Sequence, residues 1–388
     1  MLALPTAYLI LVCGYLLLLT LGAFLFKKNV QRGGRPLRMA LLIPAHNEGA
    51  RIGGILADAA GLNYPDSDYT VFVLADNCSD NTAALAAAAG TEVLERNDSM
   101  LRGKGQALDW ALRTHAAVFA TYDGIALVDA DMYLDPAFLS EAAASLSTPG
   151  VRVVQGLNIV AHPERTWRTA LGYAGFSVIN HLRPAGRSWL GGTAGLRGSG
   201  MIFSSHILLQ YGWPAHSIAE DAEFTNILLM DGVRVHYNPD AKVTSDIPEQ
   251  ESQARVQQER WDGGRLQVFR RYFPLLVRRA FVRPTRMNLD ALLDLMVPPQ
   301  SLLALLLIGA FLPSLLISPL WSGVIFLCAC AVALAVFSSL LLTGAPAKVY
   351  LYLASAPLLI LWKLPLYGRL LLRRGAQVWQ RTPRDEEL

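Results

Sequence analysis

The sequence predicts an α/β fold with a doubly wound, mostly parallel sheet, flanked by transmembrane helices. Two observations support this fold class. Between about residue 38 and residue 285, apolar strand segments alternate with helical segments. Apolar residues make up 53% of the 388 residues, and their excess is concentrated at the two ends of the chain. A chain of this length can bury a large core, so we expect a soluble middle held between membrane segments.

The N-terminal segment is predicted to be a membrane anchor over residues 1–27. Residues 5–26 carry no charge and are long enough to cross a bilayer core of roughly 30 Å as a helix. A signal peptide is the alternative, but no basic region precedes the segment and no clear cleavage site follows it. Basic residues follow at once and place this flank in the cytoplasm: Lys27, Lys28, Arg32, Arg35 and Arg38.

The C-terminal region, residues 286–368, is also predicted to lie in the membrane. Residues 300–317 and 319–343 each have the length and composition of a span, whereas 349–367 is interrupted by charge and proline. If all three crossed, the basic tail 369–388 would lie outside, against the positive-inside rule. We therefore favour two crossings plus an interfacial 349–367 segment, with a third crossing as the alternative. The arginines of the predicted cytosolic tail are Arg369, Arg373, Arg374, Arg381 and Arg384.

Charge and cysteine content exclude several classes of site. The net charge is only +3, and one basic cluster lies beside the apolar spans: Arg270, Arg271, Arg278, Arg279, Arg283 and Arg286. This position favours anionic lipid headgroups as the partner, and nucleic acid is not expected. The four cysteines, Cys13, Cys78, Cys328 and Cys330, predict neither a zinc site nor a set of disulfides.

Between the membrane segments, four strands and three helices are predicted in alternation. The strands are 39–45, 69–76, 91–96 and 125–131, and the helices are 50–60, 82–89 and 104–115. Polar side chains lie at or just past the ends of three of these strands, at the edge where ligands bind in such sheets. They are Asn47 and Glu48, Asp76 and Asn77, and Asp129 and Asp131.

The two aspartates at the end of the fourth strand, Asp129 and Asp131, predict a cation-binding site. A carboxylate removed from water is costly unless it is paired, and helix capping explains at most one of the two. Oxygen ligands of this type suit Mg²⁺ or Mn²⁺, which bind through one or two carboxylates plus substrate phosphates. For Asp80 or Asn81, before an alanine-rich helix, capping is the favoured role.

A series of short motifs identifies a family resemblance. The motifs are PAHNE (44–48), ADNCSDNT (75–82), RGKG (102–105), VDAD (128–131), RGSG (197–200), AED (219–221) and QQERW (257–261). In this order and spacing they resemble the membrane-bound family-two glycosyltransferases, which include cellulose, hyaluronan and poly-N-acetylglucosamine synthases and ceramide glucosyltransferases. The resemblance covers residues 39–265 and implies a GT-A-type fold in a cytosolic catalytic domain, residues 38–285.

The resemblance also implies a role for each motif residue. Asp221 corresponds to the general base, although Ala219 replaces the family's usual threonine, and capping of the following helix is the alternative for Asp221. The implied metal ligands are Asp129 and Asp131. The implied nucleotide-sugar-binding residues are Pro44, Asn47, Glu48, Asp76, Asn77, Lys104, Asp129, Gln257, Arg260 and Trp261. The implied acceptor-binding residues are Gly198, Ser199, Gly200 and Glu220. A solvated lysine is the alternative for Lys104, and packing at the membrane is the alternative for Trp261.

The function implied by the resemblance is metal-dependent, inverting transfer of a sugar from a nucleotide-diphospho-sugar. UDP is the favoured nucleotide, Mg²⁺ or Mn²⁺ the cofactor, and a membrane lipid or growing glycan the acceptor. A single transfer to a lipid is favoured slightly over a processive polysaccharide synthase, and a nucleotide-sugar-binding partner subunit is the non-enzyme alternative. The implied location is the inner or plasma membrane, with several spans and a cytoplasmic catalytic domain; the oligomeric state is not predicted.

Overall fold

A computed structural model describes residues 3–28, 30–31, 33, 36–248 and 251–372. Its strands are β1 Met39–Ala45, β2 Tyr69–Asp76, β3 Glu92–Arg96, β4 Gly124–Leu127, β5 Met132–Leu134, β6 Val153–Val160, β7 Met201–Ser204 and β8 Val235–Ser245. Its helices are α1 Ala3–Leu25, α2 Ile52–Ala60, α3 Thr82–Ala88, α4 Lys104–Thr114, α5 Ala116–Phe119, α6 Phe138–Leu146, α7 Trp167–Phe176, α8 Arg183–Trp189, α9 Ser205–Tyr211, α10 Glu220–Met230, α11 Glu251–Val282, α12 Arg286–Met296, α13 Gln300–Ile317, α14 Pro319–Leu342, α15 Ala347–Tyr352 and α16 Ala356–Leu372. Of the predicted basic flanks, Arg32, Arg35, Arg373, Arg374, Arg381 and Arg384 lie outside the described residues.

The chain divides into two compact units. The sheet unit comprises residues 27–161 and 194–246, and the helical unit comprises residues 1–26, 162–193 and 247–388, of which the described part ends at residue 372. The sequence-based boundaries, with one domain over 38–285, remain a prediction.

The strands of the described residues form one sheet of eight, in the order β3-β2-β1-β4-β7-β6-β8-β5. Strands β1 to β4 are parallel to one another, and β6 is parallel to β8. Strand β7 runs antiparallel to β4 and β6, and β5 runs antiparallel to β8. The predicted α/β fold class is confirmed.

The central strands form the core because they are apolar on both faces. In β1 every residue is buried except Pro44, and all four residues of β4 are buried. The structure corrects one predicted strand: β4 ends at Leu127, not at residue 131. Asp129 and Asp131 therefore lie in the short connection between β4 and β5, which is not part of either strand.

Four segments of the helical unit are long and apolar enough to cross a membrane by length and composition, counting the described residues. They are Leu4–Leu25, Gln300–Ile317, Pro319–Leu342 and Ala347–Arg369. The segment that the sequence left open between interfacial and spanning, 349–367, falls within the fourth of these. Within the unit, α1 packs mainly against α14 and α8, and a π-helical stretch, Ser177–Leu182, joins α7 to α8.

A buried ion network joins α8 to α12 in the helical unit. The Arg187 guanidinium donates to Asp290 at 2.9 Å and to Asp294 at 2.8 Å, and Arg183 lies 2.6 Å from Asp294. The Tyr15 hydroxyl of α1 also donates to Asp290, at 2.8 Å. The side chains of Arg187 and Asp290 are only 3% and 4% exposed. Two arginines are thus ion-paired with two aspartates, and a further arginine, Arg265, lies close enough to interact with Arg183 and Asp294.

Candidate active site

The connection after β4 holds Asp129 over the loop of residues 197–200. The backbone N–H of Asp129 donates to the Ser199 hydroxyl at 3.1 Å, and a turn closes with a bond from Met132 N–H to the Asp129 carbonyl at 3.2 Å. The small Ala130 between the aspartates is buried. This turn places two carboxylates beside each other just past the end of a buried strand.

A single ammonium group, that of Lys104, meets three different segments of the sheet unit. Its Nζ lies 2.5 Å from Asp129 Oδ1 and 3.7 Å from Glu220 Oε1, and it donates to the Gly198 carbonyl at 2.8 Å. Lys104 is the first residue of α4, and Gly103 before it has φ +114, a conformation that favours glycine. The left-handed glycine thus turns the chain so that the lysine reaches the carboxylates.

Negative charge exceeds positive charge around this lysine. Burial raises the pKa of the Glu220 carboxyl to about 7, although Lys104 opposes the rise. Burial also raises the pKa values of Asp129 and Asp221, and the neighbouring Asp131 raises that of Asp129 further. For Lys104, burial lowers the pKa, but Asp129 and Glu220 outweigh that effect and raise it. These carboxyls are harder to ionise than ordinary ones because removal from water disfavours their charged form more than the nearby cations favour it.

Glu220 and Asp221 open helix α10. Asp221 Oδ1 accepts a hydrogen bond from the Ala222 N–H at 2.8 Å, while its Oδ2 lies 3.7 Å from the position that a Cβ on Gly198 would occupy. One carboxylate oxygen therefore bonds the next backbone N–H, but the N-cap residue of α10 is Ala219 and the helix has no side-chain cap, so Asp221 is not the cap that the alternative predicts. The other oxygen faces the 197–200 loop. Gly105 also approaches closely, since a Cβ there would lie 2.8 Å from Glu220 Oε2.

The 197–200 loop is shaped by two left-handed glycines, Gly198 at φ +79 and Gly200 at φ +68. Gln155, a fully buried residue of β6, forms hydrogen bonds with this loop. The Gln155 amide donates to the Ser199 carbonyl at 2.8 Å and accepts from the Arg197 N–H at 2.8 Å. Sequence reasoning missed Gln155; the signal was a polar residue in the apolar run VVQGLNIV.

A second polar group lies at the end of β2. The Asp76 carboxylate accepts from the Arg96 guanidinium at 2.6 Å and from the Asn77 amide at 2.9 Å. The His46 Nδ1 lies 2.7 Å from the Asp76 carbonyl oxygen. Arg96 is buried and was not predicted as a site residue; the signal was an arginine that ends a strand, TEVLER, next to the strand of Asp76.

The asparagines at these strand ends shape the loops. Asn47 and Asn77 have φ +53 and +50, which asparagine tolerates better than most residues. The Asn47 side-chain oxygen accepts from the Ser79 N–H at 2.8 Å, and that of Asn77 accepts from the Asp98 N–H at 2.8 Å. At the start of α3 the N-cap residue Asn81 has no side-chain cap bond, and the Asp80 carboxylate accepts from the Thr82 N–H at 3.0 Å.

The other predicted residues of this edge sit close to these loops. The buried Glu48 donates its N–H to the Thr82 hydroxyl at 2.8 Å. Pro44 lies in β1, opposite Leu74 of β2. Because β1, β2 and β4 are parallel, the polar residues after all three strands lie at the same edge of the sheet.

Three predicted binding residues lie in the helical unit instead, on α11. Gln257, Arg260 and Trp261 occupy its first three turns. Trp261 is 37% exposed, and its ring centroid lies 5.7 Å from that of Phe176 on α7. Trp261 therefore contacts α7 and is also partly exposed, and packing at the membrane stays a prediction.

The carboxylate pair suits a divalent cation that arrives with a diphosphate. Among the described residues, no group of three or more His, Cys, Asp and Glu side chains could hold a metal ion by itself. Asp129 and Asp131 supply two carboxylates, and burial together with the neighbouring Asp131 raises the pKa of Asp129. Two carboxylates completed by phosphate oxygens are a common Mg²⁺ or Mn²⁺ environment, so the donor set fits this cation.

The ordered motifs and the sheet agree with one protein family. The family model described as Glycosyltransferase like family 2 matches residues 36–264, which is more than half of the chain. The chain belongs to this family. The resemblance predicted from the motifs is confirmed, and the sheet has the GT-A type of fold.

Curated relatives cover part of the chain. Beta-monoglucosyldiacylglycerol synthase of Trichormus variabilis is 30% identical over 215 residues, which are 53% of this chain and 44% of the relative. Poly-beta-1,6-N-acetyl-D-glucosamine synthase of Staphylococcus aureus is 24% identical over 254 residues, 63% of this chain and 58% of the relative. The matched region thus spans about half the length of these relatives.

A solved structure has a similar fold over most of the chain. It is the mannosyltransferase PcManGT from Pyrobaculum calidifontis in complex with GDP-Man and Mn²⁺. The TM-score is 0.57 at 19% identity, and the match covers 94% of this chain and all of that one. The similarity therefore extends beyond the sheet unit and concerns the fold.

Proposed function

We propose that the protein is a membrane-integrated, inverting glycosyltransferase that moves a sugar from a nucleotide-diphospho-sugar to a lipid or glycan acceptor. The observation that carries this proposal is the meeting of Lys104, Asp129, Glu220 and Asp221 with the 197–200 loop in one place. Family membership supports sugar transfer, and the nucleotide sugar and Mn²⁺ named for the solved mannosyltransferase support such a donor and cation.

Asp221 is the proposed general base. Its Oδ2 faces the 197–200 loop, where we place the acceptor hydroxyl with Gly198, Ser199, Gly200 and Glu220. The carboxylate takes the hydroxyl proton while the acceptor oxygen attacks the anomeric carbon, and the bond to the diphosphate breaks with its electron pair on the leaving oxygen. The attack is in line, so the configuration at the anomeric carbon inverts. The raised pKa of Asp221 makes its carboxylate a stronger base.

Asp129 and Asp131 are the proposed ligands of Mg²⁺ or Mn²⁺. When bound, such a cation supplies charge that stabilises the departing diphosphate. Lys104, already at Asp129, adds a second cation on that side of the site. The nucleotide, for which UDP is favoured, is assigned to the edge formed by Pro44, Asn47, Glu48, Asp76 and Asn77. Gln257, Arg260 and Trp261 are proposed to complete donor binding.

A single transfer to a membrane lipid is the favoured reaction, and processive glycan synthesis is the second candidate. The relative at 30% identity is named for a glucosyldiacylglycerol product, and the one at 24% identity for a polysaccharide. The four candidate spans of the described residues leave little protein to line a polymer channel.

Product analysis tests both candidates. Membranes containing the protein are incubated with a panel of UDP- and GDP-sugars, and the products are analysed by mass spectrometry. We expect a lipid whose mass increases by one hexose unit, with an Asp221→Asn preparation as control. A ladder of sugar increments supports the processive alternative, and no transfer from any nucleotide sugar contradicts the proposed function.

We also propose that the sheet unit faces the cytoplasm of a cell with the protein in its inner or plasma membrane. Lys27, Lys28 and Arg38 follow the first candidate span and support this orientation. A cysteine at the exposed Asp66, in a variant without the native cysteines, should react in intact cells with a membrane-permeant thiol reagent only. Labelling by an impermeant reagent would place the unit outside.

A further inference from the structure

Helix α16 carries a lysine inside a candidate membrane span. Lys363 is the charge that interrupts the apolar 349–367 segment, and its side chain is only 10% exposed. A buried ammonium group is costly unless it is paired or hydrogen-bonded. Its partners lie on α11, where Nζ donates to the Gln258 side-chain oxygen at 2.7 Å and lies 3.9 Å from Asp262 Oδ2. Lys363 therefore links the fourth candidate span to α11.

Two more polar contacts join the same two helices. The Trp362 indole N–H donates to Glu251 Oε1 at 2.8 Å, and the Arg369 guanidinium lies 2.9 Å from Glu259 Oε1. At about 100° per residue, Trp362, Lys363 and Arg369 fall within an arc of about 120° around α16. One face of α16 is therefore bonded to the first turns of α11.

The residues of α11 that contact α16 lie opposite the predicted donor-binding residues. At about 100° per residue, the contact residues fall within an arc of about 100° around the helix. They are Glu251, Gln258, Glu259 and Asp262. A second arc of about 100°, centred roughly 160° from the first, contains the residues that we call the α11 motif. They are Gln257, Arg260 and Trp261. The contacts with α16 therefore restrict rotation of α11 about its axis and fix the direction of the α11 motif.

Helix α16 is itself bonded to a second candidate span. The hydroxyls of Tyr367 and Ser301 lie 2.6 Å apart, and Ser301 belongs to α13. The buried Leu366 lies between these polar contacts along α16. A helix that is bonded on one side to α13 and on another to α11 is a fixed support for α11.

We propose that Lys363 is a positioning residue for nucleotide-sugar binding and acts through Gln258 and Asp262. Its bonds hold α11 in the rotation that presents the α11 motif to the donor. The ammonium group can bond two acceptors one turn apart on α11, whereas a leucine at this position would pack without fixing the rotation. The proposal rests on the donor-binding role proposed above for the α11 motif.

Nucleotide affinity tests this role separately from folding. The full chain is purified in detergent, and the Kd values of UDP and GDP are measured by calorimetry with Mn²⁺ present. The thermal unfolding midpoint reports folding. Lys363→Met should weaken binding of the preferred nucleotide on the order of 10-fold, a typical effect for groups coupled through one hydrogen-bond network. Lys363→Arg keeps a cation and N–H donors and should retain most of the affinity.

Two further variants decide the matter if Lys363→Met folds poorly. Lys363→Met leaves the buried Asp262 without a cation, whereas Lys363→Met/Asp262→Leu replaces the pair by apolar groups. Gln258→Leu removes the acceptor of the 2.7 Å bond and leaves the ion pair in place. Both should weaken nucleotide binding. The matched control is Lys348→Met, which removes an exposed lysine that lies over the Tyr352 ring in α15 and should leave affinity unchanged.

Arg260→Ala separates the positioning role from the donor site itself. It should weaken nucleotide binding, and Lys363→Met should then add less than its loss in the parent, because both changes act through the α11 motif. Parent-like affinity of folded Lys363→Met/Asp262→Leu and Gln258→Leu, or an equal loss in Lys348→Met, would overturn the positioning role and leave the proposed function intact. Parent-like affinity of Arg260→Ala would instead refute donor binding by the α11 motif.

Discussion

Two groups of charged residues in this protein differ in charge balance, and one is buried whereas the other is partly exposed. In the helical unit, the ion pairs of Arg183 and Arg187 with Asp290 and Asp294 give each carboxylate a positive partner. In the sheet unit, Lys104 lies among Asp129, Glu220 and Asp221, with Asp131 beside Asp129. Charges that are paired within a group already have their countercharge. A group with excess negative charge needs a bound cation or a proton to neutralise it. The difference separates a structural network from a candidate site.

The consequences for stability and catalysis should therefore be opposite. Breaking a balanced buried pair leaves a charge without its partner, so folding suffers. Removing a carboxylate from the unbalanced group relieves repulsion, so folding should be preserved while chemistry is lost.

Replacement of Asp131 by alanine should abolish sugar transfer. Asp131 and Asp129 are the proposed cation ligands, and without the cation the charge on the departing diphosphate is not stabilised. Turnover of the purified variant is measured with a radiolabelled nucleotide sugar, and the parent enzyme is assayed with excess EDTA. Chelation should stop the parent reversibly, with recovery on addition of Mn²⁺. Full activity of the parent enzyme in excess EDTA would show that the reaction does not require a divalent cation.

Asp221→Asn should lower kcat by roughly 10² to 10⁴ and leave nucleotide affinity nearly unchanged. Asparagine keeps the shape and the hydrogen bond to the Ala222 N–H, but it cannot accept the acceptor proton. Burial raises the pKa of Asp221, which means that folding disfavours its ionised form, so the neutral variant should unfold at the same temperature or higher.

The two measurements for Asp221→Asn are single-turnover kinetics and UDP binding by calorimetry. A residue that only bonds the Ala222 N–H would tolerate asparagine without loss of rate. Near-parental transfer by correctly folded protein would thus assign the base to another residue.

Arg187→Met should lower stability by about 3–5 kcal/mol, because it leaves Asp290 buried without its cation. The measurement is the thermal unfolding midpoint of the purified protein in detergent. The double variant Arg187→Met/Asp290→Leu replaces the pair by apolar groups and leaves Arg183 paired with Asp294. It should regain most of the lost stability.

For Arg187→Met and Arg187→Met/Asp290→Leu, the rate constant of sugar transfer by the folded fraction should stay close to that of the parent. A single variant as stable as the parent would mean that the network contributes nothing to folding. A loss of rate greater than the loss of folded protein would give the network a catalytic role.

Several features of the site were predictable because each has a local sequence signal. The strands over 39–45 and 69–76 were assigned correctly because apolar β-forming runs end at polar residues. Since parallel strands present their carboxyl ends at one edge, the polar residues after three strands were expected to share that edge. The family followed from the order of the motifs and was confirmed.

Other features carry only a weak local signal. Arg96 and Gln155 are single polar residues at or within strands, and nothing in the sequence states which groups they contact. The network of Arg187 and Asp290 joins residues more than 100 positions apart. The end of β4 was placed four residues too late, because Val128 and Ala130 are as apolar as the strand before them.

The sequence by itself determined the fold class, the family and the residue types at the candidate site, because periodicity and motif order are local properties of the chain. The tertiary structure decided which charges meet. Whether Lys104 lies in solvent or between Asp129 and Glu220 depends on how α4, the β4–β5 connection and α10 pack. Electrostatic energies fall with distance and rise with burial, and both quantities exist only once the chain is folded.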